Sequence, residues 1–423
     1  MSDTTQNGPV LAADGTPLKR SLAKALRMQK LRALMLIAPL LLFILVTFIL
    51  PVGDMLFRSV DNRIVQEVLP RTVAALENWD PASPDLPDEA VFAALAVDLK
   101  AAAEIKVHTK VAKRLNYENP GLSSVFRKSG RKIRKWDVEN EGPYKERLIE
   151  LNDGWADIEL WRTIKTYSGT RTIGYFLNAV DMKLGAEGAE VRPETERIYN
   201  TMLIRTMRMS LIITFSCIML GYPVAWLLAN ITTRSANMLL ILVLLPFWTS
   251  LLVRTSSWKI LLQQQGVIND VLVWIGIVGD DNRLVLINNE LGTIIAMTHI
   301  LLPFMILPMY SVMQTIQPTY LRAAKSLGAT NWTAFWRVYF PQSIPGIGAG
   351  SILVFILAVG YYITPALVGG TKGTFISNLI AYHISTSGNW GLGAALGAIL
   401  LAVVLLLYWV YDKIVGIDNV KLG

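Results

Sequence analysis

The chain has 423 residues, of which 52% are hydrophobic and only 17% charged, with one Cys and three His. A charge content so far below the roughly 25% of soluble domains excludes an ordinary soluble enzyme and a disordered chain. The single Cys excludes an intramolecular disulfide and any Cys-rich metal site, and His108, His299 and His383 are too scattered in sequence to form a ligand cluster. The formal net charge of +8 suits either nucleic acid or a membrane surface, so the placement of the charges decides.

Residues 61–200 hold 21 Lys+Arg and 23 Asp+Glu, and the rest of the chain holds 19 basic and 9 acidic groups. A near-neutral hydrophilic block therefore sits inside a very apolar chain. The whole positive excess lies in the apolar part, where it reports membrane topology rather than nucleic-acid binding. Six stretches reach the roughly 20 apolar residues that a spanning helix needs: 33–57, 209–231, 236–253, 291–313, 347–368 and 392–411. Six such stretches exceed what one soluble core can bury, and the reading is an all-α polytopic membrane protein.

In chain order, a tail over 1–32 carries Lys19, Arg20, Lys24, Arg27, Lys30 and Arg32, which place the N-terminus in the cytoplasm. The first span, 33–59 with its flanks, is too long and too far into the chain for a cleaved signal peptide. The block over 60–205 then lies outside. It reads as mainly helical: Pro87-Asp88-Glu89 opens one run through Val91, Phe92, Leu95 and Leu99, and Pro143 precedes another through Leu148, Trp155 and Trp161. Asn119-Pro-Gly and Ser129-Gly are expected to punctuate between them, and no strand alternation stands out. The basic run from Arg127 to Lys135 reads either as a solvated face or as a polyanion patch.

The apolar core over 206–415 follows, with a short inside turn at 232–235, outside loops at 256–290 and 369–390, and an inside loop at 314–346. A tail over 416–423 is cytoplasmic. Arg254, Lys259 and Arg283 fall on the outer side against the charge rule. In the inside loop a short helix over 318–327 is expected to break at Gly328, a left-handed C-cap position. A second helix is capped near Thr330 or Asn331, carries Trp332, Phe335, Trp336 and Tyr339, and is stopped by Pro341 and Pro345. Such a helix–Gly–helix lever suits docking into a partner's groove, and a plain amphipathic linker is the other reading.

Arg322, Ala323, Ala324, Gly328 and Pro341 fall at the positions of the coupling-loop motif Glu-Ala-Ala, three residues, Gly, nine residues, Ile, any residue, Leu-Pro. By this the chain resembles the permeases of ABC importers. Val338 and Phe340 replace Ile and Leu conservatively, and Arg322 reverses the motif's acidic charge. Gly221 to Trp226, Leu245 to Trp258, Gly266 to Asn269, Leu302 to Pro308, Phe355 to Pro365 and Val368-Gly-Gly370 are similar to the spermidine/putrescine branch. The similarity covers about 30–60 and 195–415. It implies the six-helix type I importer permease fold with a large periplasmic insertion between helices 1 and 2. It also implies a second permease as heterodimer partner, two cytoplasmic ATPase subunits and a periplasmic substrate-binding protein, in a bacterial inner membrane. This chain binds no cofactor and is not an enzyme on that reading: it lacks a phosphate loop ending in Gly-Lys-Ser/Thr, so ATP belongs to the partners.

Polar groups within spans face a cavity or another helix. The candidates for the path are Trp248, Thr249, Arg254, His299, Tyr361, Tyr362 and Thr364. His299 reads most simply as an interhelical hydrogen-bonding residue, Tyr361 and Tyr362 follow a kink at Gly360, and Cys217 is a small packing residue. Aromatic faces can hold a cation, yet no Asp or Glu lies deep in a span, so selectivity falls to the binding protein. The expected function is passage of a small solute, foremost a polyamine. Passage of another organic solute, a receptor or scaffold with a ligand-binding outer block, and a membrane enzyme are the alternatives. The short inside segments count against the receptor, and the lack of clustered catalytic groups against the enzyme.

Overall fold

The computed structural model describes residues 18–138, 142–185 and 188–415; the start of the expected N-terminal tail and the whole 416–423 tail lie outside them. The chain divides into two compact units between Arg58 and Ser59. In the first, α1 (Leu18–Ile44) and α2 (Leu50–Arg58) are joined by a π turn, Leu45–Ile49, into one apolar span, Leu26–Arg58.

The second unit begins with the hydrophilic block. Its helices are α3 (Ile64–Val68), α4 (Pro70–Ala75), α5 (Glu89–Glu104), α6 (His108–Asn116), α7 (Leu122–Ile133), α8 (Tyr144–Leu151), α9 (Ile158–Thr166) and α10 (Gly174–Ala179). The Asp88 side chain caps α5 by accepting from the Val91 N–H at 3.2 Å, and Val91, Phe92, Leu95 and Leu99 are all buried, as their spacing requires. The core closes on aromatics: Phe92 meets Trp161 at 4.6 Å between ring centroids, and Phe126 meets Trp155 at 5.1 Å.

Two expectations fail here. Ser129-Gly130 is not a break but lies inside α7. The Ser129 hydroxyl accepts from Trp155 Nε1 at 2.8 Å, and a Cβ on Gly130 would sit 2.5 Å from His108 Cδ2, so both residues are small for packing reasons. A hairpin also appears, β1 (Met182–Leu184) with β2 (Ala189–Val191), antiparallel with Met182 opposite Val191. Strands of three residues are too short to show alternation. The basic run forms the outward face of α7, with Arg127, Lys128, Arg131 and Lys132 exposed and Phe126 and Ile133 buried.

The block closes on itself and is tied to the apolar helices. Asp61 pairs with Arg171 in a β-bridge, flanked by Asn62 N–H to Thr170 O at 3.0 Å and Thr172 N–H to Val60 O at 2.9 Å. Glu118 pairs with Arg114 at 2.8 Å and accepts from the Tyr167 hydroxyl and the Asn178 amide, and this buried network joins the core to α10. The buried Asp181 carboxylate accepts from the N–H groups of Ile198, Tyr199 and Asn200 at 2.8–2.9 Å. These donors are free because α11 (Tyr199–Asn230) starts there. The Tyr117 hydroxyl donates to Ser387 O at 2.8 Å.

The apolar helices are α11, α12 (Thr233–Leu244), α13 (Leu251–Leu261), α14 (Val267–Trp274), α15 (Glu290–Thr315), α16 (Pro318–Ser326), α17 (Asn331–Ala334), α18 (Phe340–Gly360), α19 (Ile363–Val368), α20 (Ile376–Tyr382) and α21 (Trp390–Val415). The packed centre is α11, α15 and α18, through Met209, Ile213, Cys217, Met297, Leu301, Met305, Met309, Val354 and Ala358. Cys217 is buried there and donates to Thr298 O at 3.6 Å, a packing role as expected. Glycines permit this closeness: a Cβ on Gly350 would lie 2.7 Å from Met305 Sδ.

Three expectations about the spans fail. The 236–253 stretch is not one straight helix: α12 and its 3-10 extension, Leu245–Trp248, meet α13 at 93°. Pro246 lies in that tightened turn, and Ser250 starts a new helix by accepting from the Val253 N–H at 3.2 Å. Pro341 and Pro345 do not stop the coupling-loop helix, which runs unbroken over Asn331–Gly360. A π turn, Phe335–Tyr339, widens the backbone just before Pro341, as Leu45–Ile49 does before Pro51. Each gives room to a ring that would otherwise strike the preceding turn. Gly360 is a helix end rather than a kink. The Ser377 hydroxyl donates to Val359 O and the Asn378 amide to Tyr362 O, which satisfies carbonyls left open there.

Candidate functional site

Two places gather the candidate residues. The first is the loop between α15 and α18. Pro318 opens α16 at a position where no N–H is needed. The helix ends in a full left-handed cap: Gly328 has φ +89°, its N–H reaches Lys325 O at 2.9 Å, and the Ala329 N–H reaches Ala324 O at 3.1 Å. The Thr330 hydroxyl then caps α17 by accepting from the Thr333 N–H at 3.2 Å. Both ends of the turn are thus fixed by hydrogen bonds, and the lever is rigid at its elbow. Arg322 and Ala323 are exposed, Ala324 is half-buried, and Pro341 is exposed within the continuing helix. Around them stand bare apolar groups: Leu327 is 90% exposed and Trp332 72%, with Tyr320 and Trp336 beside them. Leu327 was not among the sequence candidates, although its place just before the capping glycine projects it outward.

The second place is the broken span. Arg254 on α13 lies with its guanidinium carbon 5.8 Å from the centre of the Phe247 ring, and Phe247 meets Phe304 edge-on at 4.9 Å. His299 of α15 and Tyr361 after α18 lie within electrostatic reach of the same guanidinium. One turn along α13, Trp258 Nε1 donates to His299 Nδ1 at 3.1 Å, the interhelical bond expected of that histidine. The Thr255 and Thr364 hydroxyls bond at 3.1 Å and tie α13 to α19. The structure therefore brings Arg254, His299, Tyr361 and Thr364 around one helix. It leaves Trp248 and Tyr362 exposed on the protein's surface, and the Thr249 hydroxyl is spent on Pro246 O. Sequence reasoning missed Phe247, whose neighbour Trp248 had the more conspicuous side chain.

Residues 208–415 match the family described as binding-protein-dependent transport system inner membrane component. The chain is 37% identical to the spermidine/putrescine transport system permease protein PotB of Salmonella typhimurium (strain SL1344). That alignment covers 50% of this chain and 74% of the relative. It is 36% identical to PotB of Escherichia coli (strain K12), over 50% of this chain and 78% of the relative. Among solved structures, a bacterial alginate ABC transporter in complex with its alginate-bound periplasmic protein matches at 18% identity and a TM-score of 0.42, covering 51% of this chain and 78% of that one. The family match begins after the hydrophilic block.

Proposed function

This chain belongs to the binding-protein-dependent transport system inner membrane component family, and from that premise we propose that it forms half of the path by which an ATP-driven importer carries a polyamine such as spermidine or putrescine. As an importer permease it is a multi-pass inner-membrane protein. On our reading a second permease completes the path, two separate ATPase subunits hydrolyse ATP, a periplasmic binding protein delivers the cargo, and both termini are cytoplasmic.

The observation that carries the reading is the capped elbow at Gly328. A turn held between two hydrogen-bonded helix ends, with Tyr320, Leu327 and Trp332 bare around it, would transmit force from a partner without bending. Arg322, Ala323, Ala324, Gly328 and Pro341 would form the ATPase-facing loop. In the membrane, Arg254, His299 and Tyr361, with Trp248 and Tyr362 at its margin, would border the path. Within the family-matched region the carboxylates of the described residues stand at helix ends or in loops, so a cation crossing here meets aromatic faces rather than a deep anionic site. Selection then rests with the binding protein, and this subunit exposes the broken-span region to each side in turn.

The test is uptake of labelled spermidine and putrescine into cells lacking other routes, with and without this gene, beside titration of the binding protein with both compounds. Gene-dependent uptake and binding are the expected results. If neither compound binds and uptake is unchanged, the polyamine reading fails while the family stands.

A further inference from the structure

Arg254 is always charged, and two of its nitrogens, Nε and Nη1, are buried without a hydrogen-bond partner. Its surroundings offer the Phe247 ring, His299 and Tyr361, none of which carries negative charge. Nor can the rest of the family-matched region supply one. Its carboxylates are Asp270, Asp280, Asp281, Glu290 and Asp412. Asp270 and Asp280 hold Arg283 at 2.6 and 2.8 Å, and Glu290 holds Arg208 at 2.6 Å. Asp281 lies in the turn Asp280–Asn282, and Asp412 lies near the far end of α21. A buried guanidinium without a partner is costly, and such groups pair with carboxylates or with carbonyls.

We propose that the second permease subunit places a membrane-embedded carboxylate against Arg254, as an intersubunit ion pair that fixes how the two permeases meet. The inference rests on the heterodimer in the reading above. The side from which such a group would arrive is open: Arg254 is only half-buried, and its neighbours Trp248, Leu252 and Val253 are 74%, 59% and 58% exposed on an apolar face that no described residue of the second unit covers. A subunit partner fits better than cargo for two reasons. Two guanidinium nitrogens are buried without a partner in the cargo-free chain, whereas cargo is present only in passing. A polyamine is moreover itself cationic and cannot pair with it. The broken span explains the position, since the turn at Thr249–Ser250 frees α13 from the line of α12 and presents Arg254 beside a seam instead of inside a straight helix.

The experiment co-expresses the chain with its second permease and ATPases, and measures co-purifying second permease, ATPase activity of the purified complex and labelled polyamine uptake. Arg254→Glu is expected to lower the recovered heterodimer and uptake by tenfold or more, Arg254→Gln to do so less severely, and Arg254→Lys to retain much of both. Each Asp and Glu in the second permease's membrane segments is then changed to Arg in the Arg254→Glu background. One of these changes should restore assembly and activity, and a cysteine pair at the same two positions should crosslink. Wild-type heterodimer and uptake in Arg254→Gln, or no rescue across the whole scan, overturns the pairing. Normal assembly with an altered choice of cargo overturns it too, and assigns Arg254 to the cargo. If the unmodified chain brings down no second permease, the heterodimer reading falls and the inference with it; recovery of the heterodimer without rescue removes only the inference.

Discussion

Gly328 isolates backbone conformation from packing. It has φ +89°, and a Cβ built on it meets no atom within 4 Å, so a side chain there is resisted only by its own backbone. For an ordinary L-residue the left-handed region costs roughly 1–2 kcal/mol, which lowers the equilibrium constant for forming the capped elbow by about 5- to 30-fold. Asn tolerates this region best and β-branched residues worst. ATP-dependent uptake per membrane-inserted protein should therefore fall in the order Gly328→Asn, Gly328→Ala, Gly328→Val, with the last nearly inactive. The strain is confined to an exposed turn, so insertion and membrane level should remain normal in all three. The assay is uptake normalised to membrane-resident protein, with ATPase stimulation measured on the same preparations. Wild-type uptake in Gly328→Val at equal membrane level would refute the reasoning. So would loss of all three variants from the membrane, which would mean that the glycine serves folding rather than coupling.

Three further outcomes are expected. A reporter active only in the periplasm should be active when fused near Gly130 and silent near Thr330; the opposite pattern would reverse the orientation and remove the ATPase-docking role together. Ser129→Ala leaves the buried Trp155 Nε1 without its acceptor and should cost about 1–3 kcal/mol, seen as a lower thermal midpoint of the purified protein; an unchanged midpoint would show that the bond contributes nothing. Burial, with the nearby Arg134 charge, holds the His108 imidazole below its ordinary value. The unfolded chain therefore takes up this proton first as pH falls, and the stability present above about 6.5 declines below it. The decline should flatten in His108→Gln, and equal slopes in the two proteins would assign the effect to other groups.

Features carried by local chemistry were legible in the sequence. Asp88 before Glu89 announced a cap, Gly328 announced a left-handed end, and long apolar runs announced the spans, because each depends on residues within a turn or two. What escaped depends on distant partners. Ser129-Gly130 has the composition of a loop, but it is small because Trp155 and His108 press on it from other helices. Pro341 has the composition of a stop, but a π turn one residue earlier absorbs it, and nothing in the residues Phe335–Tyr339 signals that register. The break in the 236–253 stretch was visible only as Pro246 and Ser250, each compatible with an unbroken helix. In the site, residue types located Arg254, His299 and Tyr361, while only the packing could separate the inward Phe247 from the outward Trp248.

The bridge between Asp61 and Arg171 brings the two ends of the hydrophilic block together. Its entry and exit strands lie side by side, about 5 Å apart as paired strands are. Exchanging everything between them for a tight turn would keep those ends where they are, at the cost of the Tyr117–Ser387 and Glu118–Asn178 hydrogen bonds. Residues 174–198, which carry the hairpin and the Asp181 clamp on α11, stand beyond that seam and would stay behind. In genetic terms the block is a cassette: it can be gained, lost or resized by one in-frame event while the permease that follows it stays in register.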